Sequence, residues 1–139
     1  MSGFVVVDAS IWVARLVSQD AFHAASRSWL DEQRSAGVEL LSPSLLLAEV
    51  AGAISRRTGD AQLARRSVKA LENLPGLRLV AMGRSLVGES AGLAARLGLR
   101  GRDSFYVAVA YRLGVSLATL DRDQCERAAS IVSITGFQF

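Results

Sequence analysis

The sequence predicts a single three-layer α/β/α sandwich around a central parallel sheet, and three observations carry that expectation. The first segment able to form a strand, Phe4 to Val7, is apolar throughout rather than alternating, as strands are when helices cover both faces of a sheet. Three times a glycine able to close a helix stands directly before an apolar segment: Gly37 before Val38 to Leu41, Gly76 before Leu77 to Val80, and Gly114 before Val115 to Leu120. Longer stretches of helical spacing lie between them, which is the alternation of βαβ units.

Taken in order, the strand Phe4 to Val7 leads into a helix over Ile11 to Val17 and a second over Ala21 to Ser35, where Phe22, Ala25 and Trp29 share an amphipathic pattern with His23. After the strand Val38 to Leu41, a helix is expected from Pro43 to Arg57. Ser42 can cap it, and proline suits a first helical position because its missing donor would be orphaned there anyway. Asp60 to Asn73 completes that connection before the strand Leu77 to Val80. Helices over Arg84 to Leu97 and Ser104 to Leu113 lead to the strand Val115 to Leu120, and a fifth short strand is expected over Ile131 to Ile134. No linker, low-complexity tract or internal repeat divides the chain, so residues 1–139 are read as one domain.

The chain is 139 residues long, 50% hydrophobic, and has only two prolines, which suits one sizeable core. Its apolar runs are far too short to cross a bilayer, and Met1, Ser2 and Gly3 lack the basic start of a secretory signal; a cytoplasmic protein with no membrane association is expected. The single cysteine, Cys125, excludes an internal disulfide and any multi-cysteine zinc site, and it is read as a small filler. A net charge of +3 and a pI near 9.7 favour a polyanionic partner. Fifteen of the sixteen basic residues are arginine, which suits planar phosphate recognition and equally fits a GC-rich coding sequence. A mean hydropathy of +0.28 is high for so small a domain, which points to apolar helix surface meeting another chain, with the helices carrying Leu45 to Ile54 and Leu63 to Leu74 as candidates.

Four acids stand where a core would exclude them. Asp8 ends the first strand, Asp121 ends the fourth, Glu49 interrupts Leu45 to Ala51, and Asp103 heads the apolar stretch Phe105 to Ala110. Desolvating an uncompensated charge is expensive, so a partner is needed. Ligands of open parallel sheets bind beyond the carboxyl ends of the strands, and if the first and fourth strands are neighbours, one cleft collects all four. Each acid also has a plainer account. Asp8 and Asp103 suit helix N-caps, Asp121 suits a turn before a short helix in which Asp123 pairs with Arg122 or Arg127, and Glu49 fits a solvent-facing stripe through Leu45, Glu49, Gly52 and Arg56. Only a shared cation explains the four together. An all-carboxylate set suits magnesium or manganese, whereas zinc or copper would call for histidines and thiolates that the chain does not supply. His23, the only histidine, is read as structural or surface, and no serine, histidine and acid triad assembles around it.

Gly98-Leu99-Arg100-Gly101-Arg102 matches neither the Walker pattern nor the dinucleotide fingerprint. It does set Arg100 and Arg102 directly before Asp103, where they are candidates for holding a phosphodiester against a metal. Two acids about 4 Å apart repel by roughly 4 kcal/mol at an intermediate dielectric, so the site without metal is expected to hold a proton or to open locally.

The order VVVDASIWVA, LLSPSLLLAEVAGAI and LRGRDSFYVAVAYRLGVSLATLDRD resembles a PIN domain, and within that family the VapC-type toxins of toxin–antitoxin pairs. The resemblance runs over nearly the whole chain. It is most specific from Gly101 to Asp123, where an acid opens a helix and Thr-x-Asp closes the next strand. It implies a magnesium- or manganese-dependent endoribonuclease whose acidic quartet falls on Asp8, Glu49, Asp103 and Asp121. Ser10 and Thr119 resemble positions whose hydroxyls support the acids or metal waters, and Asp123 is an additional acid that many members lack. A homodimer and a cognate antitoxin, whose tail would occupy the acidic cleft, are further implications. Two other readings stand beside it: a catalytically inactive PIN-fold module that binds RNA or protein, and a phosphatase-like enzyme. The latter usually needs an Asp-x-Asp pair on the first strand, and Ser10 stands two beyond Asp8.

Overall fold

Strand β1 (Phe4–Val7) is buried at Val5, Val6 and Val7, as its unbroken apolar run requires. The structure, a computed structural model, describes residues 3–135; Met1, Ser2 and residues 136–139 of the predicted 1–139 domain lie outside the described residues. In chain order follow α1 (Ala9–Leu16), α2 (His23–Ser35), β2 (Glu39–Pro43), α3 (Leu46–Thr58), α4 (Ala61–Glu72), β3 (Leu77–Val80), α5 (Arg84–Leu97), α6 (Gly101–Leu113), β4 (Ser116–Ala118), α7 (Arg122–Ala128) and β5 (Ile134–Thr135).

The five strands form one parallel sheet in the order β3-β2-β1-β4-β5, flanked by helices, as predicted. β1 and β4 are neighbours, with Val5 opposite Ser116 and Val7 opposite Ala118. The strand order reverses between them, and such a switch point leaves a crevice at the carboxyl ends. Gly37, Gly76 and Gly114 all have positive φ and turn the chain toward a strand, but only Gly114 itself caps a helix; Ala36 and Asn73 cap α2 and α4.

The core centres on Trp12, Tyr106 and the aliphatic residues of β1, β2 and β4. α6 is buried almost all round, from Tyr106 to Ala110, and packs against β1, β2 and β4. That fixes its first turn over the switch point. The indole Nε1 of Trp12 donates to Ser42 Oγ at 3.3 Å, and that hydroxyl donates to the Val7 carbonyl at 2.6 Å.

The same contact explains where the predicted helix start fails. Ser42 is consumed inside the sheet and cannot cap, and the residue before a proline is driven toward extended backbone, so β2 runs on through Pro43 and α3 begins at Leu46. Glu49 therefore lies in the first turn of α3 rather than two turns in. α6 begins three residues earlier than expected, at Gly101. β4 is shorter than Val115 to Leu120, because the Val115 amide still bonds to Ala110 in the helix while the Leu120 amide turns to Ser10 Oγ. Residues 131 and 132 bond back to Ala128 at the end of α7, which delays β5 to Ile134. The helix α7 itself was foreseen only as the plainer account of Asp121.

A candidate metal and phosphodiester site

Asp8 leaves β1 at the switch point and caps α1. Its Oδ2 accepts the Ser10 amide at 3.0 Å, its Oδ1 accepts Gln124 Nε2 at 3.3 Å, and only 5% of the residue is exposed. Asp121 leaves β4 on the neighbouring strand and caps α7, with Oδ1 accepting the Gln124 amide at 3.1 Å. The capping account and the cleft account are thus both met by the same residues. Capping uses one oxygen of each carboxylate, while the other accepts from Gln124 in Asp8 and from Arg100 in Asp121.

Asp103 is not a cap. Arg100 holds that position, and Asp103 sits in the first turn of α6, 4% exposed. Its Oδ2 is buried without a hydrogen bond and touches only the Arg100 guanidinium, Nε at 3.2 Å, in ion-pair rather than hydrogen-bond geometry. Glu49 comes from α3, and its Oε1 accepts the Tyr106 hydroxyl of α6 at 2.6 Å. All four acids line one cleft of about 480 Å³. Convergence, the condition on which the acid reading depends, is met.

Burial and mutual repulsion leave a clear electrostatic signature. Desolvation pushes the Asp8 carboxyl above its ordinary range despite its hydrogen bonds to Ser10 and Gln124, and Asp121 adds to the rise. Desolvation raises Glu49 as well, against the pull of Tyr106, with Asp8 and Asp103 contributing. Asp103 is pushed up to about 6 by desolvation and then by Asp8 and Asp121, although Arg100 and Arg102 oppose it. Held protons in the metal-free cleft are what the repulsion argument expects.

Arg100 and Arg102 are solvent-exposed, yet their guanidinium groups lie against the acids. Arg100 spans two acids, Nη2 to Asp121 at 3.0 Å and Nε to Asp103, and reaches toward Asp123 at 4.0 Å. Arg102 Nε lies 3.7 Å from Glu49 and 3.9 Å from Asp103. Among the described residues, no three acids, histidines or cysteines are drawn to a spacing that closes on one ion. Internal guanidinium counter-ions hold the carboxylates instead. The donor set nevertheless suits a hard divalent cation: all oxygen, negatively charged in excess, with Asp103 Oδ2 buried and unsatisfied.

The remaining expected residues fall close by. Ser10 Oγ and Thr119 Oγ1 lie 3.4 Å apart and accept the Leu120 and Asp121 amides, bracing the loop that carries Asp121, and the Ser10 side chain also hydrogen-bonds to the Asp8 carboxylate. Asp123 pairs with Arg127 at 2.9 Å and is half-exposed outside the cleft wall. His23 donates Nδ1–H to the Ala14 carbonyl at 2.9 Å, a structural role.

Two site residues escaped the sequence reading. Tyr106 stands three residues beyond Asp103, one helical turn away, and its only signal was a hydroxyl within an apolar run. Gln124 is fully buried, and its Nε2 also reaches the Asp103 carbonyl at 3.3 Å, tying Asp8 to the start of α6. Asp121 and Gln124 have the spacing of a capping box, a signal that points to a helix start and not to Asp8.

A family model described as PIN domain matches residues 5–130. Among curated proteins, none matches the chain. Among solved structures, VapC20 of Mycobacterium tuberculosis, described as a sarcin–ricin loop cleaving toxin, superposes with a TM-score of 0.78 at 20% identity, covering 94% of this chain and 98% of that one. VapBC2 of Rickettsia felis, bound to a DNA fragment from its promoter, gives 0.70 at 13% identity over 94% and 96%. FitAcB of Neisseria gonorrhoeae gives 0.65 at 17% identity over 94% and 96%. At these identities the likeness establishes the fold.

Proposed function

The chain belongs to the PIN-domain family, and on that premise we propose that it is a magnesium- or manganese-dependent endoribonuclease acting as the toxin of a VapBC-type toxin–antitoxin pair. The convergence of Asp8, Glu49, Asp103 and Asp121 on one cleft carries the proposal. A bound divalent cation would supply Lewis acidity toward the phosphodiester and a water acidic enough to attack at neutral pH. Asp8, Asp103 and Asp121 would hold it directly and Glu49 directly or through water. Tyr106 fixes the rotamer of Glu49, Gln124 fixes that of Asp8, and Ser10 and Thr119 brace the Asp121 loop. Such outer contacts commonly matter 10- to 100-fold in metal affinity or activity. Arg100 and Arg102 lie against these acids and, with a cation held there, would be free to meet the phosphate.

The toxin assignment draws on the neighbours, one described as an RNA-cleaving toxin and another as a toxin–antitoxin pair on promoter DNA. An antitoxin needs a surface. The groove between α3 and α4, about 600 Å³ and lined by Leu47, Ala51, Ala64 and Val68, supplies apolar area and shares Ala48 and Gly52 with the acid cleft. These are the helices that the high mean hydropathy singled out. A homodimer remains part of the proposal, measured by light scattering on the purified protein.

One observation favours a second reading. Arg100 neutralises Asp103 and Asp121 from within the chain, as in a PIN-fold module that binds RNA or protein without cleaving it. Thermal unfolding with added magnesium separates the two. A metal-dependent enzyme gains about 2.7 kcal/mol at a hundredfold excess over its dissociation constant, a gain absent in Asp121→Asn. No upward shift at millimolar magnesium supports the inactive module.

A further inference from the structure

We propose that Arg56, seated over Gly52 at the far end of the acid cleft, is a second phosphate-binding position that grips the RNA strand away from the bond being cut. The inference rests on the nuclease reading and extends it to how substrate is held. Glu49, Gly52 and Arg56 fall at i, i+3 and i+7 of α3, one face of the helix, with the Arg56 backbone about 10 Å along the axis from that of Glu49 and its guanidinium folded back over Gly52. From sequence alone a solvated stripe was the plainer alternative for Glu49. In the structure all three residues line the cleft that holds Asp8, Asp103 and Asp121.

Arg56 differs from the other arginines of the cleft. Arg57 is tied to Asp20 at 2.8 Å, and Arg102 lies against Glu49 and Asp103. Arg56 is exposed and, among the described residues, its guanidinium makes no hydrogen bond or ion pair. A guanidinium lacking a carboxylate partner in a cleft otherwise rich in acid is the natural contact for a phosphate, because it presents a planar donor fork and is not engaged elsewhere. Gly52 makes room for it: a Cβ at that position would stand 3.3 Å from Arg56 Nη1. Phe22 lines the same cleft. Acids at one end for cations and a free arginine at the other would hold a single strand across the site, with its scissile phosphate at the acids.

The test is binding of a short fluorescent single-stranded RNA to the full chain in chelator, where no cleavage occurs, over a range of salt. Arg56→Gln should weaken binding about tenfold at low salt, the scale of one charged hydrogen-bonded contact, and reduce the salt slope by about 0.7, the value for one phosphate contact to a single strand. Arg56→Lys should restore the slope, and Arg96→Gln on α5, outside the cleft, should leave affinity and slope unchanged. Equal affinity and slope for Arg56→Gln and the wild type would overturn the proposal, as would a wild type that binds no RNA, or an Arg56→Gln variant that loses an acidic protein partner while binding RNA normally. Magnesium-dependent cleavage by the wild type tests the nuclease reading separately. Loss of cleavage with an intact Arg56 effect sinks that reading alone.

Discussion

Asp103 shows how one residue can be costly to the fold and useful to the site. Its carboxyl is buried, its Oδ2 has no hydrogen bond, and it is pushed up to about 6 by desolvation and by Asp8 and Asp121. A carboxyl raised in the folded state keeps its proton after the unfolded chain has released it, so the native state binds more protons and stability falls as pH rises. For Asp103 the contribution is complete below its ordinary 3.8 and is lost as pH passes through about 6. Metal-free protein should therefore lose stability between about pH 4 and 6, and Asp103→Asn should flatten that slope and gain of the order of 1–2 kcal/mol at neutral pH, allowing for screening through half-exposed Arg100. Denaturant unfolding at a series of pH values in chelator measures it, and a variant with the wild-type slope would contradict the electrostatic account. At this scale the sequence was informative where an acid broke an apolar run, as at Asp8, Glu49, Asp103 and Asp121. It was silent where a side chain's partner lies far along the chain: nothing local says that Tyr106 meets Glu49 or that Ser42 bonds to Val7.

At the scale of elements, glycine and periodicity were enough for most boundaries. α5 runs from Arg84 to Leu97 as expected, and α4 needs only its cap residues, Asp60 and Asn73, removed from the predicted span. The late start of α3 has a tertiary cause, a hydrogen bond inside the sheet that overrode local chemistry. Ser42 and Pro43 form a good helix start in isolation, yet the sheet claims both. The small helix α7 is the element whose role is easiest to overlook, because it both caps on Asp121 and carries buried Gln124 to Asp8. Gln124→Leu should keep the fold, since leucine fills similar volume and removes the unsatisfied Oε1, but it leaves Asp8 Oδ1 without its donor. Cleavage or metal affinity should fall about 10- to 100-fold while the metal-free melting temperature changes little. Full activity in this variant would mean that Asp8 is oriented by Ser10 alone.

For the whole molecule, strand order decides what the acids can do. The order β3-β2-β1-β4-β5 sets β1 beside β4, so Asp8 and Asp121, 113 positions apart in sequence, emerge side by side at the switch point. α3 and α6 then bring Glu49 and Asp103 over the same crevice. That neighbourhood was legible as a conditional, because parallel strands that end in acids imply a common edge, whereas the arginines bridging the acids were not legible at all. Among the described residues, no helix is long and apolar enough to cross a membrane. The α3 and α4 groove is the apolar surface that the proposed antitoxin would cover.

The central claim is that the four convergent carboxylates form a metal-dependent RNA-cutting centre. Its most direct measurement is cleavage of RNA by purified protein with magnesium, with chelator, and with Asp8→Asn, read by sequencing the cut ends. The account predicts discrete cuts with magnesium, none with chelator, and loss of cutting in a folded Asp8→Asn protein; cutting that survives chelator or the loss of the Asp8 carboxylate would contradict it.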